Sequence, residues 1–330
     1  MKARVSQSTF PWIPDRKSDT MARRDIIVIG ASAGGVETLQ TLVAQLPPDL
    51  PAAVFIVVHL YSRSPSLLPQ ILTRAGQLQA FNPEEATAIE PGQIYVAPPD
   101  RHLVIERDHV HLSSGPKEQH HRPSINVTFR TASIAYGERV VGVVLTGEMD
   151  DGTAGLWEIK RRGGIAVVQN PEEALFPSMP LSVLREMEVD YTVNLAEVGP
   201  LLCRLAVGEG ERQRTSIPGL VLEPKLTDLT CPDCRGTIWE VPCGSTKEYR
   251  CRVGHTYSAR SMISEHIATQ ERALYSAMVA LEEGASLANR LAGHFDAETA
   301  AKLREEARER RSQAGDVLRI LTERQAFSLE

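Results

Sequence analysis

Ser32, His59 and one of the adjacent Asp150 and Asp151 have the types and placement to share one piece of chemistry. Ser32 lies in D-I-I-V-I-G-A-S-A-G-G, residues 25–35. His59 ends the apolar run 53–58, and Asp150 and Asp151 follow the apolar run 140–145 within T-G-E-M-D-D-G. A serine hydroxyl is a weak nucleophile until a base takes its proton, and the base works best when a carboxylate orients it. Serine, histidine and aspartate together are therefore the set for acyl transfer. Each is bland alone: the serine as a turn residue, the histidine as a packed core residue, the Asp-Gly pair as a turn. A glycine-rich turn behind a first strand also fits dinucleotide binding. Here, however, Ser32 replaces the middle glycine of G-x-G-x-x-G, and the next strand ends in His59 rather than an acid.

The elements that must position these residues follow from the pattern of apolar runs. Residues 26–29, 54–58, 94–97, 103–106, 110–112, 140–145 and 165–169 read as strands, and 36–46, 66–75, 124–136, 154–162 and 179–187 as helices. Their alternation predicts an α/β fold with a doubly wound, mostly parallel sheet. Residues 92–112 read as an antiparallel hairpin insert. Ser32, His59 and the Asp150-Asp151 pair each follow the carboxyl end of an expected parallel strand, the edge where open α/β sheets form their ligand crevice. Ser32 also precedes a helix whose free N–H groups suit an oxyanion.

The chain has 330 residues, 36 basic and 42 acidic, with a formal net charge of −6. That balance argues against nonspecific nucleic-acid binding. No apolar run reaches the length of a membrane span, and the polar first twenty residues lack the core of a signal peptide. The expected compartment is the cytoplasm. Residues 1–24 are expected to be a disordered tail, with Met21 an alternative start. Residues 25–207 form the α/β domain, 208–230 a linker, 231–257 a cysteine-rich unit, and 258–330 a helical hairpin or coiled-coil tail.

Four of the five cysteines fall between 231 and 251. Cys231 and Cys234 form a C-x-x-C knuckle, and Cys251 and His255 supply a second pair. Together they are a Cys₃His set of the kind that holds structural zinc in a ribbon-like unit, with Cys243 as the spare that would make a Cys₄ alternative. Trp239, Thr256 and Tyr257 are expected to pack around it. In the tail, Ala273, Ala277, Leu281 and Ala285 recur every fourth residue, and Leu303, Ala307, Ala314, Val317 and Leu321 follow after a break at 293–296 that Asp296 is expected to cap. The helices either pack on their own domain or serve a homodimer or a regulatory partner.

Residues 25–205 resemble the catalytic domain of the chemotaxis-receptor methylesterases (CheB). The resemblance rests on I-G-A-S-A-G-G, on V-V-H at 57–59, on H-R-P-S at 121–124, on G-V-V-L-T-G-E-M-D-D-G at 142–152 and on Q-N-P-E-E-A-L-F-P-S-M-P at 169–180. It implies Ser32 as nucleophile, His59 as base, Asp151 rather than Asp150 as acid, and no cofactor for catalysis. It implies hydrolysis of glutamate γ-methyl esters on a methylated chemoreceptor-type signalling protein. Backbone N–H groups at Ala33 and Glu148 would hold the oxyanion; the family usually has Thr and Met at these two positions. Arg122 is a candidate for an acidic flank of the substrate, with bracing of its own loop as the alternative. The receiver domain that usually precedes this domain is not expected in the roughly twenty-five residues before the first strand. A C-R-V-G-H-x-Y-S segment resembles an extension on some relatives without a receiver. Two other functions stay open: receptor glutamine deamidation through a similar acyl-enzyme, and a degenerate binding module, which Ala33 and Glu148 would favour.

Overall fold

The computed structural model describes residues 23–59, 66–209, 223–243 and 246–323. The expected 1–24 tail and Met21 fall almost wholly outside them. Arg24 does not behave as tail: it is buried, its amide donates to the Leu205 carbonyl at 3.3 Å, and its Nη1 donates to that of Gly163 at 3.0 Å.

The chain runs β1 (Ile26–Ala31), α1 (Gly35–Val43), β2 (Ala53–Val58), α2 (Leu68–Ala75), β3 (Gln79–Phe81), β4 (Gln93–Val96), β5 (His102–Ile105), β6 (Val110–Ser113) and α3 (Ile125–Tyr136). It continues through β7 (Val140–Val144), α4 (Thr153–Arg161), β8 (Ile165–Gln169), α5 (Ser178–Glu186), β9 (Tyr191–Val193) and α6 (Leu195–Ala206). Seven of these strands form one sheet in the order β3-β4-β2-β1-β7-β8-β9, with every neighbouring pair parallel. The winding reverses at β1: β2 lies on one side and β7 on the other. The crevice at that reversal is where doubly wound sheets bind their ligands.

The central strands are continuous apolar runs because both of their faces are covered. Ile27, Ile29 and Ala31 enter one core layer with Leu39, Leu42 and Leu202. Ile26 and Val28 enter the other, with Ile125, Phe129 and Leu156. The alternation is the two-residue period of the strand.

Residues 94–97 do not belong to a hairpin insert. Residues 93–96 form β4, parallel to both β2 and β3, and only β5 and β6 make the antiparallel hairpin. Ile94, Tyr95 and Val96 are buried on both faces, as an inner strand requires. Missing from the sequence reading are β3 and β9, three residues each, and α6, whose start carries an Asn194…Glu197 capping box.

Beyond the α/β domain come β10 (Lys225–Thr230), β11 (Thr237–Cys243), β12 (Thr246–Cys251) and β13 (Thr256–Ser258), an antiparallel sheet in chain order. Residues 225–230, read as linker, are thus its first strand, and 210–222 lie outside the described residues. Cys231, Ile238, Cys251, Tyr257 and Met262 form its core; Trp239, one position from Ile238, is only half-buried because neighbours in a strand face opposite ways.

The tail is a helical hairpin of α7 (Ala259–Leu291) and α8 (Ala297–Glu323), which pack on each other. Asp296 caps α8 by accepting from the amides of Glu298 and Thr299 at 3.0 and 3.1 Å. The α8 stripe lies where expected, with Ala307 and Ala314 buried. The α7 stripe holds only at its C-terminal end: Ala273 and Ala277 are exposed, Leu281 is half-buried, and Ala285 joins Ala288 in the buried seam. A four-residue spacing rotates about 40° per step around a helix, so the series walks off the seam.

Candidate active site

Ser32 sits in the turn between β1 and α1, above the carboxyl edge of the sheet. Gly34 makes the turn with φ +70°, and a Cβ there would lie 3.0 Å from Leu175. The Ser32 amide donates to the Thr146 carbonyl at 3.0 Å, just past β7. Thr146 ties three loops together: its Oγ1 donates to the Ala33 carbonyl and accepts from the Phe176 amide, and its own amide donates to the Gln169 side chain. Gly147 follows because nothing larger fits: a Cβ would stand 2.8 Å from that of Ser32.

The three residues expected to act together are in contact. Ser32 Oγ lies 3.1 Å from Nδ1 of His59, and Nε2 of His59 lies 2.8 Å from Oδ2 of Asp151. An ionised Asp151 accepts a proton-bearing Nε2, which leaves the Nδ1 lone pair facing the serine. That arrangement lets the imidazole take the hydroxyl proton as the oxygen attacks.

Asp151 itself is set on a helix end. It is 1 % exposed and accepts from the amides of Ile125 and Asn126 at 2.7 and 3.0 Å, and from Ser124 Oγ at 3.0 Å. These are the free N–H groups of the first turn of α3, at the positive end of the helix dipole. Burial alone would raise its pKa, but the hydrogen bond from His59, with further help from the Ile125 amide, holds the carboxyl below its ordinary value. Asn126 locks the other side by accepting from the amides of Gly152 and Gly155. Asp150 takes no part; its carboxyl turns to Ser258 at the start of α7, and burial raises its pKa.

Two further histidines belong to the candidate site: His121, which the sequence marked only as the first residue of H-R-P-S, and His102, which carried no signal. The His121 ring stacks on the His59 ring, centroids 3.5 Å apart and planes within 5°. Burial and the neighbouring His59 charge push its pKa down to about 3, so it is neutral. His102 accepts from the Ser124 amide at Nδ1, so its Nε2 carries the proton and donates to the Pro116 carbonyl at 2.9 Å. The H-R-P-S run marked this loop, but its contacts depend on packing. Arg122 in the same loop donates from Nε and Nη2 to Asp100 and from Nη1 to the carbonyls of Ser114 and Gly115. Ala33 follows Ser32, and Glu148 follows Gly147, which packs on Ser32; the Ala33 and Glu148 amides make no hydrogen bond among the described residues, and the Glu148 side chain is exposed.

The cysteine-rich unit holds a second cluster. One ligand atom each from Cys231, Cys234, Cys251 and His255 lie within 4.8 Å of one another. Cys234 and Cys251 sulfurs are 3.6 Å apart, and His255 Nδ1 is 3.7 Å from Cys231 Sγ and 3.5 Å from Cys251 Sγ. Tetrahedral zinc, with bonds of about 2.3 Å to sulfur and 2.0–2.1 Å to nitrogen, spaces such atoms roughly 3.5–3.8 Å apart. The donor set and spacing therefore fit a metal ion. Tyr257 Oη donates to Asp233 at 2.7 Å, and Asp233 lies 3.9 Å from His255 Nε2, an outer partner for that ring. Cys243 stands outside the cluster, its thiol pushed up to about 12 by burial.

The chain has relatives among known proteins. The family model described as CheB methylesterase matches residues 27–202. A Leptospira interrogans protein, provisionally named a protein-glutamate methylesterase/protein-glutamine glutaminase, is 40% identical over 182 residues, 55% of this chain and 94% of its own length. The protein-glutamate methylesterase/protein-glutamine glutaminase 2 of Methanosarcina mazei is 35% identical over 190 residues, 55% of this chain and 52% of its own. The crystal structure of the Thermotoga maritima CheB methylesterase catalytic domain superposes with a TM-score of 0.53 at 30% identity, covering 55% of this chain and 98% of that domain.

Proposed function

The chain belongs to the CheB methylesterase family, and from that premise we propose that its α/β domain is a serine hydrolase for glutamate γ-methyl esters on a chemoreceptor-type signalling protein. One observation carries the proposal: the unbroken hydrogen-bonded chain from Ser32 through His59 to Asp151 at the reversal of the sheet. His59 Nδ1 takes the Ser32 proton as Oγ adds to the ester carbonyl. The amides of Ala33 and Glu148 hold the oxyanion of the tetrahedral intermediate. His59 returns the proton to the methoxide, methanol leaves, and water, activated by the same imidazole, frees the glutamate from the acyl-enzyme. Asp151 keeps the proton on Nε2 and faces the imidazolium that forms. No cofactor enters these steps.

The exposure of Glu148 supports its role through the backbone, since a carboxylate turned to solvent opposes the oxyanion less. We assign Arg122 to bracing its loop rather than to substrate, because Asp100 and two carbonyls engage its guanidinium. Glutamine deamidation is a second reading, favoured by the double name of the relatives; an amide passes through the same acyl-enzyme, with ammonia leaving. Ser32→Ala is expected to lower methanol release from a methylated receptor by about 10⁴-fold or more, with unchanged circular dichroism. Retained release would overturn the nucleophile. Failure of both wild type and variant to react with a serine-directed probe would favour a binding module. Paired ester and glutamine substrates separate the two hydrolytic readings.

Cys231, Cys234, Cys251 and His255 are proposed to hold a structural zinc in a ribbon-like unit. Four protein ligands close the site, so it takes no part in the chemistry. The compartment proposed is the cytoplasm, where such thiols stay reduced. The exposed Tyr275, Val279, Leu287 and Leu318 of the helical hairpin support a surface for a second copy or a regulatory partner.

A further inference from the structure

The loop that brings His121 onto His59 is held from its other side by the C-terminal unit. Glu118 bridges to Thr256, and the Gln119 amide donates to the Thr256 carbonyl at 2.8 Å. Gln119 Oε1 accepts from the Ser258 amide at 3.0 Å and from Ser261 Oγ. His120 Nδ1 lies 3.1 Å from Glu265, and its Nε2 lies 3.3 Å from the Ser261 carbonyl. Gln119, Thr256 and Ser261 are buried at 4 %, 1 % and 1 % exposure, so this is an interior contact rather than a grazing one.

The backbone points the same way. Gln119 and His120 are consecutive non-glycine residues at positive φ, +52° and +69°. Such conformations persist where the surroundings over-determine them, and here the surroundings are residues 256–265. The next residue is His121. Among the described residues its ring makes no hydrogen bond, and its one ring contact is the stack on His59.

We propose that His121 is a positioning residue for His59, and that the C-terminal unit, through Gln119, is a working part of the esterase site rather than an appended module. The inference rests on the Ser–His–Asp reading above. The stacked ring fixes the plane in which Nδ1 meets Ser32 and Nε2 meets Asp151. Its neutral face also meets the charge that His59 acquires during each turnover, a cation–π contact. A catalytic imidazole free to tilt loses the aligned approach on which such rates depend.

The test uses the full chain and two readouts. The first is the rate at which a fluorophosphonate probe modifies Ser32. The second is the proton NMR shift of the His59 ring, which a stacked ring displaces upfield. His121→Ala is expected to slow labelling on the order of 10²-fold and to abolish the upfield displacement. His121→Phe, which keeps a flat ring, is expected to recover most of both. Gln119→Leu is expected to slow labelling and shift the His59 resonance, and the double variant with His121→Ala is expected to be no slower than His121→Ala alone. Ser261→Ala, which removes one donor to Gln119, gives the same direction more mildly should Gln119→Leu fold poorly. Wild-type labelling by His121→Ala would overturn the positioning role, and wild-type labelling by folded Gln119→Leu and Ser261→Ala would overturn the part given to the C-terminal unit. Labelling of Ser32→Ala at the wild-type rate would overturn the nucleophile reading instead, so the two failures are distinct.

Discussion

Asp151 serves the site and the fold with the same two oxygens. It accepts from Ile125, Asn126, Ser124 and His59, and only an ionised carboxylate offers acceptors to all four. Asp151→Asn presents one oxygen and an NH₂ group to that ring of donors. It is expected to lower turnover by about 10⁴-fold and to cost roughly 1–3 kcal/mol of stability at neutral pH. Because the folded pKa of Asp151 is depressed, its stabilisation is full above the unfolded carboxylate pKa and is lost as the pH falls through the folded value. The gap between wild type and Asp151→Asn in thermal unfolding is therefore expected to close as the pH falls below about 4; a gap constant from neutral to acid pH would contradict this. At this scale the sequence pointed to Ser32, His59 and the Asp150-Asp151 pair, because each follows an apolar strand, and the family resemblance chose Asp151. It placed His121 and Ser124 near the site through H-R-P-S without giving either a role and did not show His102; these roles come from how one loop folds back.

Helices in the tail show how a period decides what packs. In α8, Ala300, Ala307 and Ala314 recur every seven residues and are all buried, the spacing that keeps one seam toward a partner helix. Ala307 meets Ala285 and Ala288 of α7. Ala307→Leu forces extra carbons into that seam and is expected to cost about 1–3 kcal/mol. The exposed Ala301→Leu is expected to stay within roughly 0.5 kcal/mol of wild type. Thermal unfolding followed by helix dichroism checks the pair, and equal effects would deny the seam. Within the α/β domain, long fully buried strands were legible as apolar runs. The three-residue β3 and β9 were not, since so short a segment has no period to read.

The whole chain brings its cysteine-rich unit against the loop beside the active site, and that unit has little core of its own. Cys231, Ile238, Cys251, Tyr257 and Met262 form its buried apolar cluster, too small to hold four strands without a further tie. With the proposed zinc bound, elemental analysis is expected to give one ion per chain. Chelation, or Cys251→Ser, is expected to expose residues 225–258 to protease while the α/β domain keeps its own unfolding transition. Metal-free protein with an unchanged protease pattern would rule the zinc out.

Strand runs, a serine in a small-residue turn and paired C-x-x-C and C-x-x-x-H spacings are local, so the amino-acid order alone pointed to the α/β class, to Ser32, His59 and the Asp150-Asp151 pair as the proposed reacting set, and to the metal-fitting set. Two outcomes were decided only by folding in three dimensions. The imidazole meets serine through Nδ1 and aspartate through Nε2, a choice made by the positions of three loops. The loop of Gln119 and His121 is shared by the active site and a unit more than 130 residues later, by contacts such as Gln119–Ser258. Neither has a local signature, because each is a meeting of side chains that the backbone brings together from distant parts of the chain.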